Sequence, residues 1–291
     1  MSTLLGRPAG LVGAVLVTAV AVIAITAPWI APYNPLLVDL ADKLAMPSAA
    51  HWMGTDQAGR DILSRVLWGA RPSLSVGLLA VAIGLIGGIT IGLTAAYTRG
   101  LWEQVAMRAM DALASIPLLI WAIAIVGIVG VGPLPIGPWR LPNESKIVLL
   151  VGILYIPSLA RVTYGGALVE FRADYVRARR MQGAGRLAVM LSDVLPNCLS
   201  PVIVQATLLI AVGIVVEASL SFVGLGVEPP NPSWGNMLAD ARNFIFTGEW
   251  WTFVFPGLAI SLSVIGFNLL GDALRDTLDP RKAARTGQLV A

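Results

Sequence analysis

A carboxylate and two amides interrupt apolar stretches of the sequence, and these side chains are the first candidates for chemistry. Glu217 and Gln205 lie in the apolar run from Pro201 to Phe222, and Asn268 lies in the run from Thr252 to Leu270. An ionised carboxylate inside a bilayer costs roughly 2.5 kcal/mol or more, so it needs a polar partner or a water-filled cavity. Glu217 therefore either reaches the outer membrane interface or lines a translocation path or outer gate. Gln205 and Asn268 are weaker candidates for the same path.

Enzyme chemistry has little support in this sequence. A P-loop requires a Gly-Lys-Ser/Thr sequence to cradle phosphate, and none of Lys43, Lys146 and Lys282 follows a glycine. The sequence also contains no GxSxG elbow and no HExxH pair. The single histidine, His51, is best explained as a loop residue, and with the single cysteine, Cys198, it cannot form a zinc cluster. We predict that the chain is not an enzyme and that it holds no metal and no cofactor.

An arginine-rich segment at about 161–199 is the most informative stretch between apolar runs. Between Arg172 and Arg186 its arginines alternate with small and apolar residues, and Gly183 and Gly185 divide it into short helices. Two interpretations fit this pattern equally well. The arginines form a patch that binds lipid headgroups, or a helix of the segment docks in a groove of a cytoplasmic partner.

Four glycines in the second apolar run are spaced as on one face of a helix. Gly77, Gly84, Gly88 and Gly92 follow one another at intervals of seven, four and four residues. A face of this kind lets another helix backbone approach closely. The approaching helix belongs either to the same chain or to a second membrane subunit.

The composition and the apolar runs place all these residues in a membrane protein. The 291 residues are 56% hydrophobic and only 13% charged, whereas soluble domains are about 25% charged. Each run is long enough to cross a hydrocarbon layer of about 30 Å, which predicts an all-α protein with six transmembrane helices. The runs are Gly10–Ile30, Leu74–Tyr97, Ala112–Val131, Ile147 to about Leu168, Pro201–Phe222 and Thr252–Leu270.

The distribution of basic residues predicts the orientation. With the N-terminus inside, 13 of the 20 lysines and arginines fall in inner segments and 7 in outer segments. The positive-inside rule therefore favours two cytoplasmic termini. The net charge of +3 is modest and gives no support for a nucleic-acid partner.

The arginine-rich segment resembles the signature loop of binding-protein-dependent ABC importer permeases, which carries an EAA motif, a glycine a few residues on and a Leu-Pro beyond it. Ala178, Gly183 and the Leu195-Pro196 pair match that pattern. Arg177 stands where the family often has glutamate and Arg179 replaces the second alanine, so a salt bridge from that glutamate to an ATPase does not carry over. The ATPase-coupling residues that the resemblance implies are Tyr175, Val176, Arg177, Ala178, Arg179, Gln182, Gly183 and Ala184.

Three further segments narrow the resemblance to the second, C-type permease subunit of oligopeptide, dipeptide and nickel importers. The match covers nearly the whole chain. The segments are His51–Asp61, Glu217–Gly226 with Pro232–Asn236, and Asn268–Asp272 with Leu278–Arg281.

The resemblance implies a type I ABC importer permease-like bundle in the bacterial inner membrane. Residues 1–73 would form an N-terminal span and outer loop. Residues 74–291 would form a permease core with five spans, a cytoplasmic coupling loop at about 161–199 and a cytoplasmic tail at about 272–291. The implied partners are a second homologous permease, two P-loop ATPase subunits or domains that bind ATP and Mg, an extracytoplasmic substrate-binding protein and the lipid bilayer.

The expected function is therefore that of a permease subunit that imports oligopeptides or dipeptides, with nickel or another small solute as the alternative cargo. A self-sufficient secondary transporter or channel is the main alternative function, and it would place coupling residues at the membrane midplane. The first three runs contain no such carboxylate, since Asp111 lies at the edge of a run. A scaffold that only anchors cytoplasmic proteins would not need the outer loop from Val223 to Trp251.

Overall fold

The computed structural model describes residues 8–136, 139–244 and 246–278, and they form a bundle of long helices. The predicted all-helical membrane fold is confirmed, with the addition of a short antiparallel hairpin of β1 and β2. The elements are α1 Pro8–Ile30, α2 Ile62–Thr98, α3 Gly100–Ala114, α4 Leu118–Val129, β1 Leu134–Ile136, β2 Trp139–Leu141, α5 Asn143–Glu170, α6 Asp174–Met181, α7 Arg186–Ala188, α8 Leu195–Phe222, α9 Trp234–Ala241 and α10 Trp251–Leu278.

Five helices in the described part of the chain are long and apolar enough to cross a membrane. They are α1, α2, α5, α10 and the continuous helix Arg186–Phe222, in which a π-helical stretch, Val189–Val194, joins α7 to α8. A sixth span exists only if α3 and α4 are counted together, and they are bent by 83°. The prediction of one helical run from Ala112 to Val131 is therefore wrong. Pro117 explains the break, because it has no N–H to donate and disfavours helical geometry at Ile116.

Several predicted boundaries fall inside helices. α2 begins at Ile62, where the Asp61 carboxylate caps it by accepting the Ser64 N–H at 2.7 Å, so the division between residues 73 and 74 lies within one helix. α5 continues through Arg161 to Glu170, so the first part of the predicted loop 161–199 is helical. α10 likewise continues through residues 272–278, and the rest of the predicted tail lies outside the described residues.

The glycine face packs α2 against helices of the same chain. A Cβ at Gly88 would lie 2.6 Å from the Leu159 Cβ, and one at Gly92 would lie 2.5 Å from the Ala160 oxygen, both on α5. Gly84 likewise faces α5, and Gly77 lies against α8 beside Ile210. Only glycine allows such close backbone approach, and the apolar core of the bundle lies where these three helices meet.

Candidate functional site

The segment predicted to couple to an ATPase forms a short helix with a defined end. α6 spans Asp174–Met181, and Gly183 follows it with a φ of +83°. The Gly183 N–H donates to the Arg180 carbonyl at 3.0 Å, and the Ala184 N–H donates to the Arg179 carbonyl at 3.2 Å. This pair of hydrogen bonds is a Schellman motif, which ends a helix at a residue that must adopt left-handed geometry. The predicted division into short helices at Gly183 and Gly185 agrees with this structure.

One buried side chain attaches α6 to the bundle. Val176 is 0% exposed and lies in an apolar cluster with Leu93 of α2, Ala167 of α5 and Cys198 of α8. Val189 and Val194 of the π-helical stretch belong to the same cluster. Apolar packing in this cluster therefore joins α6 to residues of three spanning helices.

The basic residues of α6 have two kinds of surroundings. The Arg180 guanidinium lies 5.2 Å from the ring centroid of Tyr97 and 5.6 Å from that of Phe171, which are cation–π distances. The Arg179 Nε lies 3.4 Å from the Asp193 carboxylate. Arg177 pairs with Asp174 at 3.5 Å, but both side chains are largely exposed. Arg179 and Arg180 therefore hold α6 in place, whereas Arg177 faces outward.

Tyr175 links α6 to the start of α8. Its hydroxyl donates to the Glu170 carboxylate and accepts a hydrogen bond from the Asn197 amide at 2.9 Å. Partial burial and the hydrogen bond to Glu170 raise the pKa of Tyr175 to about 12. Proximity to a carboxylate and loss of water both disfavour the phenolate, so this tyrosine acts as a neutral connector.

An apolar surface lies next to α6. Met181 is 83% exposed and Leu187 is 70% exposed. Arg177 and Arg186 are also exposed. An apolar patch with basic neighbours suits a protein groove as well as a lipid headgroup layer, so both sequence-based interpretations of this segment remain open on geometry alone.

Glu217 lies inside the protein. It is 0% exposed, and its two carboxylate oxygens accept hydrogen bonds of 2.7 Å from Ser73 of α2 and Ser221 of α8. Ser221 also accepts the Val227 N–H at 3.1 Å, and the Asn236 amide of α9 donates to the Val227 carbonyl at 2.7 Å. Within this chain Glu217 is thus enclosed by protein, and it connects two spanning helices to the loop before α9.

The three residues predicted for a translocation path are not brought together. Gln205 and Glu217 are twelve residues apart on α8, which corresponds to roughly 18 Å along a helix. Gln205 lines a cavity of about 410 Å³. Asn268 is exposed on α10. Gln205 thus lines a cavity, Asn268 lies at the surface of α10 and Glu217 is enclosed by protein.

The connection between α1 and α2 contains an ion network that the sequence analysis did not identify. The Arg60 Nε donates to Asp56 at 2.7 Å and its Nη2 donates to Asp240 at 3.0 Å. Arg65, only 2% exposed, lies 3.4 Å from Asp56 and 3.8 Å from Asp240. The His51 Nδ1 lies 2.9 Å from Asp61. Asp240 joins this network from far along the chain, and only the acidic residues near Arg60 indicated that partners were available.

The spanning helices define a multi-pass membrane protein. The chain belongs to the family of binding-protein-dependent transport system inner membrane components, whose model matches residues 88–284. A second model, the N-terminal TM domain of oligopeptide transport permease C, matches residues 2–47. The resemblance predicted from the sequence motifs is confirmed, and the family is one of membrane permeases, not of enzymes.

Curated relatives agree with this family, and a solved structure agrees with the fold. The di/tripeptide transport system permease DppC of Pseudomonas aeruginosa is 44% identical over 264 residues, which are 89% of this chain and 83% of the relative. The dipeptide transport system permease DppC of Escherichia coli is 44% identical over 277 residues, 93% of this chain and 88% of the relative. The inward-facing MetNI methionine ABC transporter has a TM-score of 0.58 at 17% identity and covers 75% of this chain and 98% of its own, which confirms the fold.

Proposed function

We propose that this chain is a permease subunit of an ATP-driven importer of dipeptides or oligopeptides. The names of its relatives support the cargo class, since they refer to dipeptide and di/tripeptide transport. The attachment of α6 to three spanning helices through Val176 supports the coupling role. ATP hydrolysis belongs in this proposal to partner subunits, and nickel is the alternative cargo.

The geometry suggests how closure of the ATPases against α6 affects the opposite end of the bundle. The continuous helix Arg186–Phe222 begins beside α6 and ends beside Glu217 and the loop before α9. At 1.5 Å per residue, a helix of this length extends roughly 55 Å. When ATPases close against α6, the helix therefore shifts at both ends, and the bundle alternates between inward-open and outward-open forms.

The proposed assembly contains a second homologous permease, two P-loop ATPases that bind ATP and Mg, and an extracytoplasmic substrate-binding protein. Both termini and α6 lie in the cytoplasm of a bacterial cell in this arrangement. The exposed Met181 and Leu187 next to α6 support a protein partner at this surface.

A pair of glycine variants tests the coupling role. In the described part of the chain, apart from the adjacent residues, no heavy atom lies within 4 Å of a Cβ built at Gly183 or Gly185. Gly183 has a φ of +83° and Gly185 a φ of −66°. Gly183→Val disfavours the Schellman turn, whereas Gly185→Ala is a control that the backbone accepts. We expect the first variant to lose most of its uptake while staying in the membrane, and the second to retain it. Equal uptake by both would contradict the coupling role.

Purification in mild detergent followed by mass spectrometry tests the assembly. We expect a second permease and P-loop ATPases to co-purify, and the reconstituted complex to take up a labelled dipeptide when ATP is present. Uptake by this chain alone would overturn the proposal in favour of a secondary transporter. Uptake of nickel but not of dipeptide would overturn the cargo class alone.

A further inference from the structure

A cavity of about 410 Å³ opens at the bend between α3 and α4. Pro117 and Trp121 line it on one side, and Ser158, Arg161 and Gln205 line it on the other. Arg161 is the one charged side chain among the described residues that form its wall. The cavity thus has a polar side made by α5 and α8 and an apolar side made by the bend.

The polar groups are arranged along one side of this space. The Gln205 amide donates to the Ser158 hydroxyl at 3.0 Å. The Arg161 Nη2 donates to the Asp111 Oδ1 at 2.7 Å, and both of these side chains are about half exposed. Hydrocarbon does not tolerate exposed charges on spanning helices, so such groups face water, protein or a passing polar solute. The Arg161 guanidinium is therefore accessible at this cavity to water, protein or a polar solute.

A second, apolar cavity adjoins the first. It measures about 330 Å³ and shares Leu113, Trp121 and Leu154 with the polar cavity. The Trp121 ring is held by a hydrogen bond of 3.2 Å from its Nε1 to the Leu113 carbonyl. A polar space with a cation next to an apolar space fits a molecule that has both an anionic end and a side chain.

We propose that these two cavities form a cargo subsite in which Arg161 binds the terminal carboxylate of a peptide. The proposal rests on the peptide import function above. Guanidinium groups bind carboxylates through two parallel hydrogen bonds, whereas Asp111 takes one. The Arg161–Asp111 pair is exposed and contributes little to stability, so a carboxylate of the cargo can replace Asp111. Ser158 and Gln205 then hydrogen-bond to the peptide amide, and the apolar cavity accepts a side chain.

Protection from alkylation tests this subsite directly in the purified complex. The only native thiol of the chain, Cys198, is 1% exposed and is removed by Cys198→Ala. In that background Ala114→Cys places a thiol in the cavity wall at a residue with no proposed contact to the peptide, and maleimide labelling of this subunit is followed without ATP. The probes are dileucine and its C-terminal amide, and Val162→Cys, also in the cavity wall, is a second probe position in case Ala114→Cys disturbs assembly.

We expect dileucine to slow labelling at least fivefold and the amide to have little effect. Arg161→Gln should remove the protection by dileucine. Asp111→Asn should give protection at several-fold lower dileucine concentration, because the competing carboxylate is gone; a merely structural ion pair would not produce this shift. Three results would each overturn the subsite. They are equal protection by dileucine and its amide, unchanged protection in Arg161→Gln, and no protection in a complex that imports dileucine. Failure of the wild-type complex to import any peptide would instead overturn the proposed function.

Discussion

The two faces of the molecule use their charged residues differently. Around the start of α2, Arg60 and Arg65 are 11% and 2% exposed and share Asp56 and Asp240. On α6, Arg177 is 67% exposed and its partner Asp174 is 98% exposed. Arg60 and Arg65 are therefore used within the fold, whereas Arg177 remains available to lipid or protein. This difference shows that a count of basic residues does not separate buried, paired charges from exposed ones.

Removing Arg65, the most buried cation of the ion network around Asp56 and Asp240, gives the largest expected loss of stability. Arg65→Ala leaves Asp56 and Asp240 with one cation and leaves the Pro35 carbonyl, 3.3 Å from Arg65, without its donor. Breaking a buried ion pair costs about 3–5 kcal/mol. Thermal unfolding of the purified chain in detergent should show this loss. Arg71→Ala on the same helix is the control, because Arg71 is exposed, and a similar loss in both variants would mean that the ion network has no special role.

Substitution of Glu217 tests whether its connection between two spanning helices and the loop before α9 is structural. Glu217→Ala leaves the hydroxyls of Ser73 and Ser221 without their buried acceptor, which costs about 2–4 kcal/mol for two groups. Glu217→Gln keeps one acceptor oxygen and should cost less. Unfolding in detergent and uptake should then fall together across the two variants. A stable Glu217→Gln protein without uptake would instead support the path or gate interpretation.

The apolar packing of Val176 is one part of the attachment of α6 to the bundle. Val176→Ala removes buried methyl groups and should cost roughly 1–2 kcal/mol. We expect ATP hydrolysis by the complex to continue with reduced uptake, because α6 moves without its helices. Val169→Ala is the matched control, since Val169 is 69% exposed. If Val169→Ala lowers the ratio of uptake to ATP hydrolysis by the same factor as Val176→Ala, the attachment through Val176 is not the coupling element.

Tyr175 gives the smallest expected effect and a pH dependence. Its pKa of about 12 in the folded chain lies above the ordinary value of 10, so the neutral form is the one that folding favours. The stabilisation is complete below pH 10 and is lost as the pH rises through 12. Tyr175→Phe should cost about 1 kcal/mol and remove this alkaline dependence from the unfolding curve. A Phe variant with the same alkaline dependence would assign it to another group.

Much of the fold follows from features that are local in sequence. The apolar runs indicate the spans, and the glycine spacing indicates the close face of α2. Gly183 marks the end of α6. Each of these depends on residues within one or two helical turns, where periodicity and backbone preference act.

The contacts that define the site are not local. Ser73 and Glu217 are 144 residues apart, and Arg161 and Asp111 are 50 residues apart. Their meeting depends on the tilt and rotation of whole helices, which an apolar run does not specify. Pro117 is apparent in the sequence as a residue that can break a helix. The cavity beside it follows only from how α4 packs against α5.

The π-helical stretch Val189–Val194 sets the direction in which the surface around Leu187 faces relative to the cavity beside Gln205. A π-helical turn holds one more residue than an α-helical turn, which rotates everything before it by roughly 100° about the helix axis. The angle between the exposed Leu187 and the cavity-lining Gln205 is thus fixed by these six residues. Deleting one residue there would rotate the surface around Leu187 relative to the cavity. α8 would keep its length in the bilayer.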